Sequence, residues 1–275
     1  MLSEVKISHS NIRDLPRPDF IEWLVEEDDI QIGEVATRCF CLEGVLDEAA
    51  LQAWALHVRR HYIRDDELDE YVEFNKINKK DYLHESCIPD TPQIMSGDFA
   101  EIMISDLLQF IEGYEVPRYK QHARKDKNSS EHGTDVIAYK VANLKIPSMN
   151  DELLAVEVKS RSASSALSTA ISEAAKDSPK DRSRVAMTLA YYSRCSLQSG
   201  DERTAAEIRR FLVASEHPFH ESFGIGVVVG IADARRYLRG RSASDLFIKH
   251  CDKVFIVHRA NLMNLIHAVY DRCVL

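Results

Sequence analysis

Gly133-Thr134-Asp135-Val136-Ile137-Ala138-Tyr139 and, after a polar interval, Glu152-Leu153-Leu154-Ala155-Val156-Glu157-Val158-Lys159 are the two runs whose reading decides the fold. Both are short and aliphatic, as buried strands require. The second run ends with ionisable residues where core residues should stand. Side chains alternate faces along a strand, so Glu157 and Lys159 point one way while Val156 and Val158 enter the opposite layer. If the strands pair, Asp135 joins the acid and the lysine. Carboxylates fixed on a rigid sheet suit a hard divalent cation, Mg²⁺ or its substitute Mn²⁺, whose shell is completed by water and phosphate oxygens. The neighbouring ammonium would then orient water or neutralise charge on a phosphoryl group.

Upstream, Ser96-Gly97-Asp98-Phe99-Ala100-Glu101 reads as a helix start, with Ser96 as N-cap and Asp98 in the first turn. Gly97, Glu101, Ile104, Leu108 and Ile111 then share one apolar face. A carboxylate there needs a partner, because burying it alone costs several kcal/mol; the expected partner is a metal or its water. Between this helix and Asp135, Arg118, Lys120, Arg124, Lys125 and Lys127 crowd around Tyr119, a segment expected to grip phosphates.

Working outward, a strand is expected over residues 36–44, an amphipathic helix over 46–64, and a helix or turn over 65–71. Further helices are expected over 163–176, from Ser178-Pro179 to about 197, over 202–214 and over 260–273, with strands at 224–230 and 253–257. This order predicts an α/β fold with a mixed central sheet flanked by helices. The glycines at 224–230 do not form GxGxxG, and there is no Walker lysine, so nucleotide binding has little support. Six scattered cysteines among 275 residues fit a reducing compartment better than a disulfide framework. No apolar run approaches the length of a membrane span and no signal peptide is visible, so a cytoplasmic protein with no membrane partner is expected.

The net charge of −9 is unevenly spread. Residues 1–90 carry 10 Lys and Arg against 21 Asp and Glu, leaving 25 against 23 elsewhere. This step divides the chain into an acidic, mainly helical region, 1–90, expected to dock a partner with Phe20, Trp23 and the 46–64 helix as apolar anchors, and a catalytic domain, 91–275.

Asp followed some twenty residues later by Glu-x-Lys resembles the PD-(D/E)XK nuclease pattern, with Thr134 where that pattern has proline. Asp66-Glu67-Leu68-Asp69-Glu70, Ser96 to Glu101, Val116-Pro117-Arg118-Tyr119, Gly133 to Ile137 and Glu152 to Lys159 together resemble the HamA family, the effector subunits of the Hachiman anti-phage defence system. The resemblance implies a PD-(D/E)XK-like fold and a Mg²⁺-dependent, largely sequence-independent DNA nuclease working with a superfamily 2 helicase. It implies that Asp135, Glu157 and Lys159 form the catalytic core, with Glu101 as the acid on the helix and Asp135, Glu157 and Glu101 as the metal set. The competing reading is a subunit that clamps DNA or a partner without cutting.

Overall fold

The computed structural model describes residues 15–28, 30–122, 124–162 and 167–275. Its strands, in chain order, are β1 (Leu24–Glu26), β2 (Ala36–Leu42), β3 (Val136–Lys140), β4 (Glu152–Arg161), β5 (His220–Val229) and β6 (Lys253–His258). The helices are α1 (Glu48–Tyr62), α2 (Asp65–Asn75), α3 (Lys79–Tyr82), α4 (Pro92–Phe110), α5 (Leu167–Asp177), α6 (Asp181–Gln198), α7 (Glu202–Arg209), α8 (Arg235–Leu238) and α9 (Leu262–Cys273). The expected start of α5 at residues 163–166 lies outside the described residues.

All six strands form one sheet in the order β1-β2-β6-β5-β4-β3. The four inner strands are parallel, and each edge strand is antiparallel to its neighbour. The sheet is therefore mixed, as the run order predicts. Val136 pairs with Val156 and Lys140 with Glu152. Continuing that register by one residue sets Asp135 opposite Glu157.

The alternation in β4 separates two layers of core. Leu154, Val156 and Val158 join Val136, Ala138, Val228 and Phe255 under α1, α4 and α9. Leu153 and Ala155 turn to the opposite face with Ile137, Tyr139 and Phe223, beneath α6 and α7. On that same face α5 covers Ile225, Val227, Val254 and Ile256 with its stripe of Leu167, Ala170, Ile171, Ala174 and Ala175. The layer under α1, α4 and α9 is closely fitted. At Gly226 a Cβ would meet Ile104 Cγ1 of α4 at 2.9 Å, so glycine lets the helix that carries Glu101 lie against the sheet.

Three expectations are corrected. Helix α4 begins at Pro92, four residues before Ser96, because proline's fixed φ suits a first helical position. Ser96 is thus inside the helix, bonded to Ser160 at 2.7 Å, and Asp98 is buried in the helix body. Helix α7 ends at Arg209 rather than near 214, and Phe211 just beyond it turns into the core with Tyr139. Finally, residue 90 marks a change of charge and not of core. β1 and β2 belong to the common sheet, α1 packs with α4 and α9, and Phe20 stacks on Trp54 with ring centroids 4.3 Å apart, so Phe20 is no exposed anchor.

Candidate functional site

The motif residues meet where β4 runs out beside the start of β3, between α4 on one side and the beginning of α6 on the other. The turn into β3 explains part of this. Gly133 has φ +136°, and a Cβ there would stand 2.9 Å from the Thr188 hydroxyl of α6. The Thr134 amide donates to that hydroxyl at 3.1 Å. A proline at 134, as in the nuclease pattern, has no N–H to give. Thr134 therefore ties the Asp135 turn to α6.

Each motif side chain has an identifiable neighbour. Asp135 Oδ2 accepts from the Val158 amide at 2.8 Å, which locks the carboxylate across the strand pair. Its Oδ1 lies 2.5 Å from Lys120 Nζ. Lys120, 6% exposed, also reaches Glu101 Oε1 at 2.8 Å, and Gln121 donates to Glu101 Oε2 at 2.7 Å. Glu101 thus meets Asp135 through Lys120. On the sheet, Lys159 Nζ contacts Glu157 Oε1 at 2.6 Å and Asp177 Oδ2, at the end of α5, at 3.0 Å.

The sequence reading missed Asp181, the first residue of α6. It is fully buried, and its neighbouring charges are Glu157, Asp135 and, opposing them, Arg184. The signal was present: Asp181 is followed at helical spacing by Val185, Thr188, Leu189 and Tyr192, all buried, just as Glu101 heads an apolar stripe on α4. Both Asp181 carboxylate oxygens and Glu157 Oε2 are buried without a hydrogen-bond partner. The Thr134 hydroxyl lies beside Asp181 without the geometry of a full hydrogen bond.

Burial and mutual repulsion shape the ionisation. Burial pushes Glu101 up to about 8 and Asp181 up to about 7, with neighbouring carboxylates adding to the effect. Glu157 is raised for the same reasons. Burial opposes the charge on Lys120 and Lys159, but their carboxylate partners outweigh it and hold both ammoniums charged. Five acidic groups, Glu101, Asp135, Glu157, Asp177 and Asp181, stand against the Lys120 and Lys159 ammoniums and the Arg184 guanidinium, and three of their buried oxygens have no hydrogen-bond partner. A hard cation with oxygen ligands fits that donor set.

The basic segment is a further correction. Arg118 lies 2.7 Å from Asp106, Lys120 fills the site as described, and Arg124 makes two bonds of 2.7 and 2.6 Å to Asp98. Lys127 pairs with Asp90 at 2.7 Å, and Lys125 is the exposed member of the five. Buried carboxylates on α4 draw the first three cations inward, so they do not form a phosphate-binding surface.

Two groups among the described residues bring three metal-capable atoms within 4.8 Å of one another, and neither contains a motif carboxylate. In Glu27, Cys39 and His258, the carboxylate is taken by His258 at 3.0 Å and Arg235 at 2.7 Å. In His57, His61 and Asp106, the Arg118 guanidinium already stands 2.7 Å from both His61 Nε2 and Asp106 Oδ1.

No described helix is long and apolar enough to cross a membrane. No curated protein matches the chain. The HamA family matches over residues 18–273 of 275, which spans every element of the sheet and all the site residues. The chain belongs to the HamA family, and so is a component of the Hachiman anti-phage defence system.

Proposed function

We propose that this chain is a metal-dependent deoxyribonuclease, hydrolysing DNA phosphodiesters with little regard to sequence. The observation that carries the reading is the meeting of Asp135, Glu157 and Lys159 at one sheet edge with buried carboxylate oxygens left unsatisfied. Asp135 and Glu157 would hold a Mg²⁺ ion, which supplies Lewis-acid polarisation of the phosphate and a more acidic bound water. Lys159, fixed between Glu157 and Asp177 but 23% exposed at its side chain, orients that water or meets developing negative charge. Glu101 supports Asp135 through Lys120 and keeps the carboxylate aimed. Backbone phosphates carry no base information, and indifference to sequence follows from that.

Incubation with supercoiled plasmid, with Mg²⁺ and with chelator, tests the reading. Metal-dependent nicking that disappears in Glu157→Gln supports it; plasmid left intact by the wild-type chain under all conditions refutes it in favour of a non-cutting subunit.

A superfamily 2 helicase is the proposed partner, and the outer face of α2 is the surface offered to it. Asp69, Glu70 and Glu73 are exposed there beside Phe74, which is 86% exposed. That combination favours a basic partner surface with an apolar contact. Reversal of Asp69, Glu70 and Glu73 to lysine should reduce co-purification of the helicase; full recovery of the complex would move the contact elsewhere.

A further inference from the structure

Toward the other edge of the sheet from the motif, three metal-capable side chains converge. Glu27 follows β1, Cys39 lies in β2 and His258 ends β6. Cys39 pairs in register with Ile256 and Cys41 with His258, so alternation along β2 and β6 sends Cys39 and His258 to the same face as Ile256, the one that α5 covers. The Glu27 amide donates to the Cys39 carbonyl at 2.8 Å, which holds the acid beside β2.

The donor atoms fit one tetrahedral ion. All three lie within 4.8 Å of one another. Glu27 Oε2 is 3.6 Å from Cys39 Sγ and 3.0 Å from His258 Nε2, and neighbouring ligands on a tetrahedral zinc stand about 3.3–3.6 Å apart. The atoms behind them are held by other groups. Arg235 takes the second Glu27 oxygen at 2.7 Å, and the Ile231 carbonyl faces His258 Nδ1 at 3.3 Å. That carbonyl accepts only from a protonated Nδ1, so a neutral His258 directs its Nε2 lone pair at Oε2, as a histidine ligand with a partner behind it does. What Oε2 meets within the protein is therefore its own co-ligands. Burial, then the Glu27 charge, keeps the free Cys39 thiol protonated, and a bound metal takes the place of that proton.

We propose that Glu27, Cys39 and His258 form a zinc site, with the fourth position of the ion left to water. Cys39 and His258 are each 1% exposed, whereas the Glu27 side chain is 11% exposed, so solvent reaches the ion past the carboxylate. Sulfur and imidazole nitrogen favour Zn²⁺ over Mg²⁺, which takes oxygen ligands. The ion ties the chain just after the edge strand β1 to the end of β6, across β2. It shares no residue with the Asp135 motif and does not depend on the nuclease reading.

Cobalt spectroscopy tests the site without any assay of cleavage. Co²⁺ added to the metal-stripped full chain should give thiolate-to-cobalt charge-transfer absorption, which the oxygen and ammonium groups of the motif cannot produce, and Zn²⁺ should displace it. Cys39→Ser should remove that absorption, and Cys41→Ser should keep it. Glu27→Gln should weaken Zn²⁺ binding, read by competition against Co²⁺, by about 100-fold or more, since partners behind the ligands alone cost about 10–100-fold. Zn²⁺ should also raise the melting temperature of the wild-type chain more than that of Glu27→Gln. Should Cys39→Ser not fold, the wild-type spectrum and the Glu27→Gln affinity still decide. A wild-type spectrum without the thiolate band, a band that persists in folded Cys39→Ser, or equal Zn²⁺ affinity in Glu27→Gln overturns the proposal and leaves Glu27 and His258 as a metal-free ion pair.

Discussion

Two buried charge clusters flank α4, and the segment just after that helix supplies a cation to each. Arg118 enters the first, where Asp106 meets it at 2.7 Å and meets His57 at 2.9 Å, while His61 accepts from Arg118 and is held by the His57 carbonyl at 3.0 Å. One carboxylate there faces one guanidinium and two imidazoles. Lys120, two residues on, enters the second cluster, where five acidic groups, Asp177 among them, face the two ammoniums and the Arg184 guanidinium. The first is close to balanced in charge, although Asp106 Oδ1 has the Arg118 ion pair and no hydrogen bond of full geometry. The second holds more acidic groups than the chain's own cations can pair, which is why Glu101, Glu157 and Asp181 are raised, and that imbalance marks it as the candidate site.

The difference is sharpest if one charge is removed from each. Asp106→Ala strands Arg118 in the core and should cost about 3–5 kcal/mol by chemical denaturation. Asp181→Asn or Glu157→Gln should cost less than about 1 kcal/mol, or stabilise, since relief of repulsion offsets lost contacts. Equal losses at Asp106 and Asp181 would erase the distinction. Activity should invert the ranking. Glu157→Gln and Lys159→Ala are expected to lower plasmid cleavage by about 100-fold or more, measured on folded protein.

A smaller effect tests how α4 is held between the clusters. Gly226→Ala drives a methyl into Ile104 and should cost about 1–3 kcal/mol. Because Ile104 lies one turn beyond Glu101, cleavage should fall too; full activity with lowered stability would show that Glu101 tolerates displacement.

The clusters also respond to pH with opposite sign. His61 is pushed well below its usual 6.5 by burial, then by Arg118, so its contribution is present above pH 6.5 and is lost on acidification below it. Asp181 is raised from 3.8 to about 7, chiefly by burial, so its contribution is present below pH 3.8 and is lost as pH rises through about 7. In chelator, His61→Gln should flatten the acid limb of the stability profile and Asp181→Asn the limb between pH 4 and 7. The smallest expected change is at the surface: Lys125→Gln should reduce the salt dependence of DNA affinity by at most about 0.9 log unit, for one phosphate contact.

Much of this was legible in the sequence because it is local. The short aliphatic runs within 133–139 and 152–159 point to two strands, and the shared face of Glu157 and Lys159 follows from spacing alone. The apolar stripe of α1, with Leu51, Trp54, Ala55 and Val58 buried, was readable in the same way. What the sequence concealed is direction and long-range pairing. Arg118, Lys120 and Arg124 look like a nucleic-acid patch because the acids that draw them inward, Asp106, Glu101 and Asp98, lie on a helix of otherwise apolar character. Asp181 looked like an ordinary helix start after Ser178-Pro179. Its spacing to Val185, Thr188, Leu189 and Tyr192 marks a buried face, but its place beside the strand motif depends on a sheet edge brought alongside by Gly133 and Thr188, which no local pattern encodes.

The sheet order has a consequence in time. β2 lies between β1 and β6, and its parallel partner, Lys253–His258, follows it by some 210 residues. At about 5–20 residues per second of synthesis, β2 waits about 10–40 s on the ribosome before that partner is made. Strands β3 to β5 and helices α4 to α6 are all translated in the interval, and the inner side of the sheet next to β2 stays open throughout. The last strand off the ribosome therefore closes the sheet, and a nascent chain halted before residue 253 lacks the strand that joins its first and later halves.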